Sequence, residues 1–228
     1  YIVAVPKVYI KNSNLQTEID INFNADIKNT VTISATEVDR YAGSDKKFTV
    51  KTELLDSSGS VKASSDASQF SITSNSTIQA VNKFELNGPV YWSPEYPYLY
   101  KLRVTIMQGE QVIDVYGSDF GLYELVRKQG ILMLSNAEFI FKVINSIEVF
   151  GSNGICANYS DIERDVKLIK SLGCNIIKVY GRPASSYLID ICNKYGLLIM
   201  EEIPVFTVPS SILESENFLQ LAENQLNE

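Results

Sequence analysis

Two adjacent carboxylates, Glu201 and Glu202, close the short apolar run LLIM. Carboxyl groups carry general acid–base and nucleophilic chemistry, but neighbours on an extended strand project to opposite sides. The two therefore cannot face one reacting bond. Glu202 is read as the ligand-orienting member, with a rim ion pair to Lys or Arg as its alternative. Upstream, Lys178 and Arg182 flank the end of another apolar run, IIKVY. An ammonium beside a planar guanidinium suits a carboxylate-bearing anion, and a salt bridge from either cation to Glu201 or Glu202 is the competing reading. Asn145, near the end of EFIFKVINSIEVFG, can hydrogen-bond a ligand hydroxyl or cap a loop, and Glu148 follows it.

The composition narrows the chemistry. Histidine is absent, which excludes a Ser–His or Cys–His catalytic pair and any His-ligated metal within this chain. The three cysteines, Cys156, Cys174 and Cys192, are odd in number and read as buried thiols. No cofactor or metal is indicated. A net charge of −7 argues against a nucleic-acid partner, because phosphate neutralisation needs clustered Lys and Arg. No run reaches the roughly 18–20 apolar residues of a membrane helix, so no membrane partner is expected. The chain opens in mid-strand with YIVAV, which leaves its cellular location open.

The elements that must position these side chains fall into two halves. Up to about residue 120 the chain alternates at period two. TEIDINFNAD sets Ile19, Ile21, Phe23 and Ala25 opposite Asp20, Asn22 and Asn24; NTVTISA, KFTVKTELL and STIQAVNKFEL repeat the pattern. KFTVKTELL turns through Asp56-Ser57-Ser58-Gly59, and YLYKLRVTIM with QVIDVYG predicts a hairpin about Gly109. Short half-buried strands at regular spacing indicate a β-sandwich of immunoglobulin type over residues 1–121. From residue 122 the pattern becomes α/β. Ser160-Asp161-Ile162-Glu163 has the form of a capping box, and the helix after it places Ile162, Val166, Ile169 and Leu172 on one face. IIKVY, the helical SYLIDICNKY closing at Gly196, and LLIM then form a strand–helix–strand unit. Such units are parallel, and their ligands sit at the carboxyl ends of the strands. A last helix is expected over roughly Ser215 to Leu226.

Two stretches resemble a known family. Trp92-Ser93-Pro94-Glu95-Tyr96-Pro97-Tyr98-Leu99-Tyr100, followed by a strand pair and Asp119-Phe120-Gly121, is similar to the W-S-P-E-x-P-x-L-Y segment and closing F-G of glycoside hydrolase family 2. That family includes β-galactosidases, β-glucuronidases and β-mannosidases. Phe141 to Glu148 resembles its first barrel strand, with Asn145 and Glu148 on the Asn and Glu of G-V-N-x-H-E. Lys178 to Pro183 stands at the R-x-S-H-Y-P site, Asp190 to Leu197 resembles C-D-x-x-G-L, and Glu201-Glu202 resembles the D-E ending the third strand. The departures are specific: Val143 replaces the glycine and Ile147 the histidine of the first motif. Lys178-Val179-Tyr180-Gly181-Arg182-Pro183 lacks Arg, Ser and His in their family places, and Tyr123 stands where an Arg commonly follows F-G.

The resemblance implies an immunoglobulin-like domain followed by the first three β-α units of a TIM (β/α)8 barrel. Trp92 could stack on a sugar, but it lies in the sandwich and is read as a buried anchor at the strand-entry turn, which explains Pro94 and Pro97. The resemblance also implies a carbohydrate substrate and a retaining route through two carboxyl groups. Asn145, Glu148, Lys178, Tyr180, Arg182 and Glu202 are the implied substrate-binding candidates. A complete barrel needs about 250 residues, so both catalytic carboxylates are expected beyond Glu228. This chain is then an inactive fragment of a larger protein, or part of a degenerate relative that binds carbohydrate or joins modules. Three parallel strands also have open edges, which implies self-association through the first or third.

Overall fold

The computed structural model describes residues 4–36, 47–135, 137–146, 158–203, 205, 208–215 and 217–227. It divides into two compact units, Tyr1–Tyr91 with Leu99–Glu124, and Trp92–Tyr98 with Leu125–Glu228.

In the first unit, β1 (Val8–Ile19), β2 (Ala25–Ala35) and β6 (Ser76–Leu86) form one antiparallel sheet in the order β1-β2-β6. The second sheet runs β4 (Val61–Ser64), β3 (Lys47–Leu55), β7 (Tyr100–Gln108), β8 (Gln111–Phe120), with β5 (Ser68–Ser71) also paired to β3. Alternate residues supply the core: Ile27, Val31 and Ile33 from β2, Val50 and Leu54 from β3, Leu102, Val104 and Ile106 from β7. This is the expected immunoglobulin-like sandwich. Its core also holds a polar seam. The side-chain amides of Asn29 and Asn82, paired across β2 and β6, both donate to Thr52 Oγ1 at 3.0 Å. Ser13 donates to Asn29 Oδ1 at 2.7 Å and Ser68 to Asn82 Oδ1 at 2.9 Å. Buried amides are thereby satisfied, which is the condition for their burial.

TEIDINFNAD is not one continuous strand but the end of β1, a turn and the start of β2. Strand β1 ends at Ile19 and β2 begins at Ala25, and Ile21 is 91% exposed. The Asp20 carboxylate accepts the N–H groups of Asn22 and Asn24, each at 2.8 Å, and Phe23 adopts φ 62°. A local side-chain turn competes with the ladder and wins, because Asp and Asn fold back on nearby backbone donors.

The second unit contains an antiparallel sheet that the period-two reading passed over: β9 (Leu125–Lys128), β10 (Ile131–Leu134) and β11 (Ala137–Glu138). Its signal was Gln129-Gly130, both at positive φ (50° and 87°), a two-residue hairpin turn between short apolar runs. Then follow β12 (Val143–Ser146), α1 (Tyr159–Ser171), β13 (Ile176–Val179), α2 (Ser186–Tyr195) and β14 (Leu198–Glu201), the strands parallel in the order β12-β13-β14. The last helix expected over roughly Ser215 to Leu226 is α4 (Phe218–Asn227), and a short α3 (Ser210–Leu213) precedes it.

Helix α1 starts earlier than the capping box suggests. Asn158 is the N-cap, accepting the Asp161 N–H at 2.9 Å and the Ser160 hydroxyl at 2.6 Å. This releases Glu163 from any capping role, and its Oε1 accepts the Tyr195 hydroxyl at 2.6 Å and the Lys194 ammonium at 3.0 Å, clamping α1 to α2. Leu172, expected on the buried face, is the C-cap and is 67% exposed.

Trp92 also departs from expectation, since residues 92–98 group with the second unit. The indole is buried and donates Nε1–H to the Asn193 carbonyl at 2.9 Å. Lys170 Nζ donates to the carbonyls of Pro94 at 2.8 Å and Gly196 at 2.7 Å. Gly196 ends α2 in the left-handed conformation, φ 76°.

Candidate functional site

The parallel register decides which side chains share a face. Across the sheet Ile144, Ile177 and Ile199 form one row, Asn145, Lys178 and Met200 the next, and Ser146, Val179 and Glu201 the third. Ile144, Ile177, Val179 and Ile199 pack against Ile162 and Val166 of α1 and Leu188, Ile191 and Cys192 of α2. Because side chains alternate along a strand, Asn145, Lys178 and Met200 occupy the face turned away from the helices, at the carboxyl ends of the strands. Glu202, just past β14, returns to that face. Lys178 Nζ lies 2.9 Å from Glu202 Oε2.

Glu201 lies on the helix side. Its Oε1 accepts the Ala184 N–H at 2.7 Å, fixing the loop before α2, whose N-cap Ser185 accepts from Leu188 N–H. The neighbouring carboxylates are thus separated by the strand: one fastens a loop, the other faces the site with an ammonium beside it. Glu202 Oε2 is shielded from solvent and, among the described residues, meets the Lys178 ammonium at ion-pair distance without an aligned hydrogen bond. An acceptor oxygen in this condition is suited to a hydroxyl or N–H donor brought by another group.

Tyr180 follows β13, about half exposed, with its ring centroid 6.0 Å from Lys178 Nζ and its N–H on the Ser146 carbonyl. Arg182 sits partly buried in the loop between β13 and α2. Asn145, Lys178 and Glu202 are therefore brought to one face, Tyr180 adjoins them, and Lys178 is engaged by Glu202. Glu148 and Ile147 lie outside the described residues. Among the described residues no group of three or more His, Cys, Asp or Glu side chains is placed to hold a metal ion. Cys192 is buried and Cys174 half-buried.

Sequence reasoning missed the residues that fix the start of β14. Lys170 and Asn193 act through contacts 76 and 101 residues away in the chain, and neither has a local motif.

Comparison with known proteins agrees with this architecture. The model of the glycosyl hydrolases family 2 matches residues 8–122, and that of its TIM barrel domain matches residues 125–225. A beta-galactosidase of Halalkalibacterium halodurans is 24% identical over 208 residues, 91% of this chain and 19% of the relative. A beta-galactosidase of Bacteroides ovatus is 25% identical over 181 residues, 78% of this chain and 21% of the relative. A glycosyl hydrolase family 2 member from Bacteroides cellulosilyticus superposes with TM-score 0.79 at 18% identity, over 97% of this chain and 29% of that one. A family 2 beta-glucuronidase does so with TM-score 0.75 at 22% identity, over 86% of this chain and 21% of that one. The structural likenesses carry the fold. The chain spans about a fifth of the length of the curated relatives it matches.

Proposed function

The chain belongs to glycoside hydrolase family 2, and from that membership we propose that it supplies the sandwich and first three β-α units of a glycosidase acting on β-linked carbohydrate. It is a glycoside hydrolase relative of β-galactosidase and β-glucuronidase type by resemblance. The observation that carries the proposal is the row Asn145–Lys178 with Glu202 on the helix-averted face at the strand ends, where barrels of this kind bind substrate. In this reading the Asn145 amide and the Glu202 carboxylate bind sugar hydroxyls, with Lys178 orienting Glu202 through their contact at 2.9 Å. Tyr180 borders the sugar, and Arg182 offers a guanidinium to an acidic substituent.

The route is retaining double displacement, which needs two carboxyl groups about 5–5.5 Å apart. Glu201 and Glu202 cannot be that pair, since they point to opposite sides of β14. The acid/base and the nucleophile therefore belong to later barrel strands, and this chain by itself turns over nothing. The test is an assay of the isolated chain against aryl β-galactosides and β-glucuronides, with turnover sinking this part of the proposal.

One observation favours a second reading, a non-catalytic carbohydrate-binding relative. The family's Arg, Ser and His positions in the second strand's motif read Lys178, Tyr180 and Gly181, and Lys178 is taken up by Glu202. The reading frame beyond Glu228 distinguishes the two. An Asn-Glu pair in a fourth strand and a further Glu near a seventh support the enzyme; their absence supports the binding module. We propose also that strands β12 and β14, each paired on one edge only among the described residues, associate with other chains.

A further inference from the structure

Between β6 and β7 the chain passes out of the sandwich unit, contributes residues 92–98 to the second unit, and returns at Leu99. We propose that this segment is a latch that sets the position of β14, and that Trp92 and Lys170 are positioning residues for the Lys178–Glu202 pair. The inference rests on the reading above that the strand ends form the sugar-facing site.

Three hydrogen bonds gather the segment onto the end of α2 and the turn that launches β14. Trp92 Nε1–H donates to the Asn193 carbonyl, and the Lys170 ammonium ties the Gly196 carbonyl to the Pro94 carbonyl. Gly196 lies so close to the segment that a Cβ there would stand 2.3 Å from Pro94 O. The segment arrives pre-shaped. The Ser93 N–H donates to Tyr96 O at 3.0 Å, the Ser93 hydroxyl accepts the Tyr96 N–H at 3.0 Å, and Pro94 and Pro97 restrict the backbone between. Little conformational entropy remains to be lost on docking, so the segment acts as a rigid wedge.

The two helices do not need this latch to pair, because Glu163 already joins α1 to Tyr195 and Lys194 of α2. What the latch adds is a hold on the backbone carbonyls of residues 193 and 196. From there Leu197 is buried, the Leu198 N–H donates to Asn175 O at 2.9 Å, and Met200 and Glu202 follow on the site face. A close-packed interior transmits displacement instead of absorbing it. Slippage at Gly196 therefore moves Met200 and Glu202 along the strand axis relative to Lys178.

Methyl NMR of the chain with labelled methionine tests this. Its three methionines are Met107 on β7, Met133 on β10 and Met200 opposite Lys178. Trp92→Phe keeps a packed ring but removes the donor, and Lys170→Leu removes the two carbonyl bonds without adding a methionine. The control Tyr195→Phe breaks the helix clamp outside the latch. We expect both latch variants to shift the Met200 methyl resonance while Met107 and Met133 stay in place, and Tyr195→Phe to lower the melting temperature without moving Met200. A Met200 resonance unmoved in the latch variants overturns the proposal, whatever stability they lose. If Lys170→Leu does not fold, Trp92→Phe alone decides. No sugar enters this experiment, so its failure leaves the glycosidase reading standing, and an inactive parent protein leaves a positive result standing.

Discussion

Two glycines close α1 and α2, and they make a matched pair. Gly173 follows α1 at φ 80° and Gly196 follows α2 at φ 76°. A Cβ at Gly173 meets nothing within 4 Å, whereas at Gly196 it meets Pro94 O at 2.3 Å, Pro94 C at 2.9 Å and Pro94 Cα at 3.0 Å. Gly173→Ala should therefore cost only the left-handed penalty of an L-residue, about 1–2 kcal/mol. Gly196→Ala incurs the same penalty and also drives a methyl into backbone that cannot rotate away. Overpacking of this kind costs about 1–3 kcal/mol, occasionally more. The expected totals are about 1–2 kcal/mol for Gly173→Ala and roughly 2–5 kcal/mol for Gly196→Ala. Urea unfolding followed by the fluorescence of Trp92, the single tryptophan, reads the unit that both substitutions affect. Equal losses within about 0.5 kcal/mol, the scatter of ordinary surface substitutions, would refute the close approach of Pro94 to Gly196 and with it the latch.

In the sandwich, Thr52→Val keeps the shape but leaves the buried amides of Asn29 and Asn82 without their shared acceptor. A loss of about 2–5 kcal/mol is expected from two orphaned groups, with Thr52→Ser much milder; denaturant unfolding that ranks Val no worse than Ser counts against the seam. Glu163 is held near pKa 2, below its ordinary 4.5, by the Tyr195 hydroxyl first and then by Lys194. Its stabilisation is therefore complete above about pH 4.5 and is lost as pH falls toward 2. Glu163→Gln should flatten the acid limb of the melting-temperature profile in that window, and an unchanged limb contradicts the assignment. Light scattering at rising concentration should show association through β12 or β14, and a clean monomer throughout argues against open-edge pairing.

Much of this architecture is legible without coordinates, because it follows from local rules. Period-two runs such as KFTVKTELL can bury only one face, and SYLIDICNKY before a glycine can only be a helix with a left-handed stop. The opposite projection of Glu201 and Glu202 follows from the pleat alone. Local competition explains the errors. Asp20 bends TEIDINFNAD into a turn by capturing the amides of Asn22 and Asn24, and Asn158 takes the N-cap that Ser160 seemed to offer, accepting the Asp161 N–H and the Ser160 hydroxyl itself.

Only tertiary structure decided the rest. The amino-acid order places Trp92-Ser93-Pro94 inside the sandwich, yet the fold assigns the segment to the other unit, where the indole and Lys170 hold a turn about a hundred residues further on. Likewise, Lys178 was legible as a cation at a strand end, but the parallel register chose Glu202 and not Glu201 as its partner. The physical reason is the same in both cases. Pattern and propensity act over a few residues and settle which faces are apolar, whereas the partner of a buried donor or a charge is whatever the packed chain brings within 3 Å.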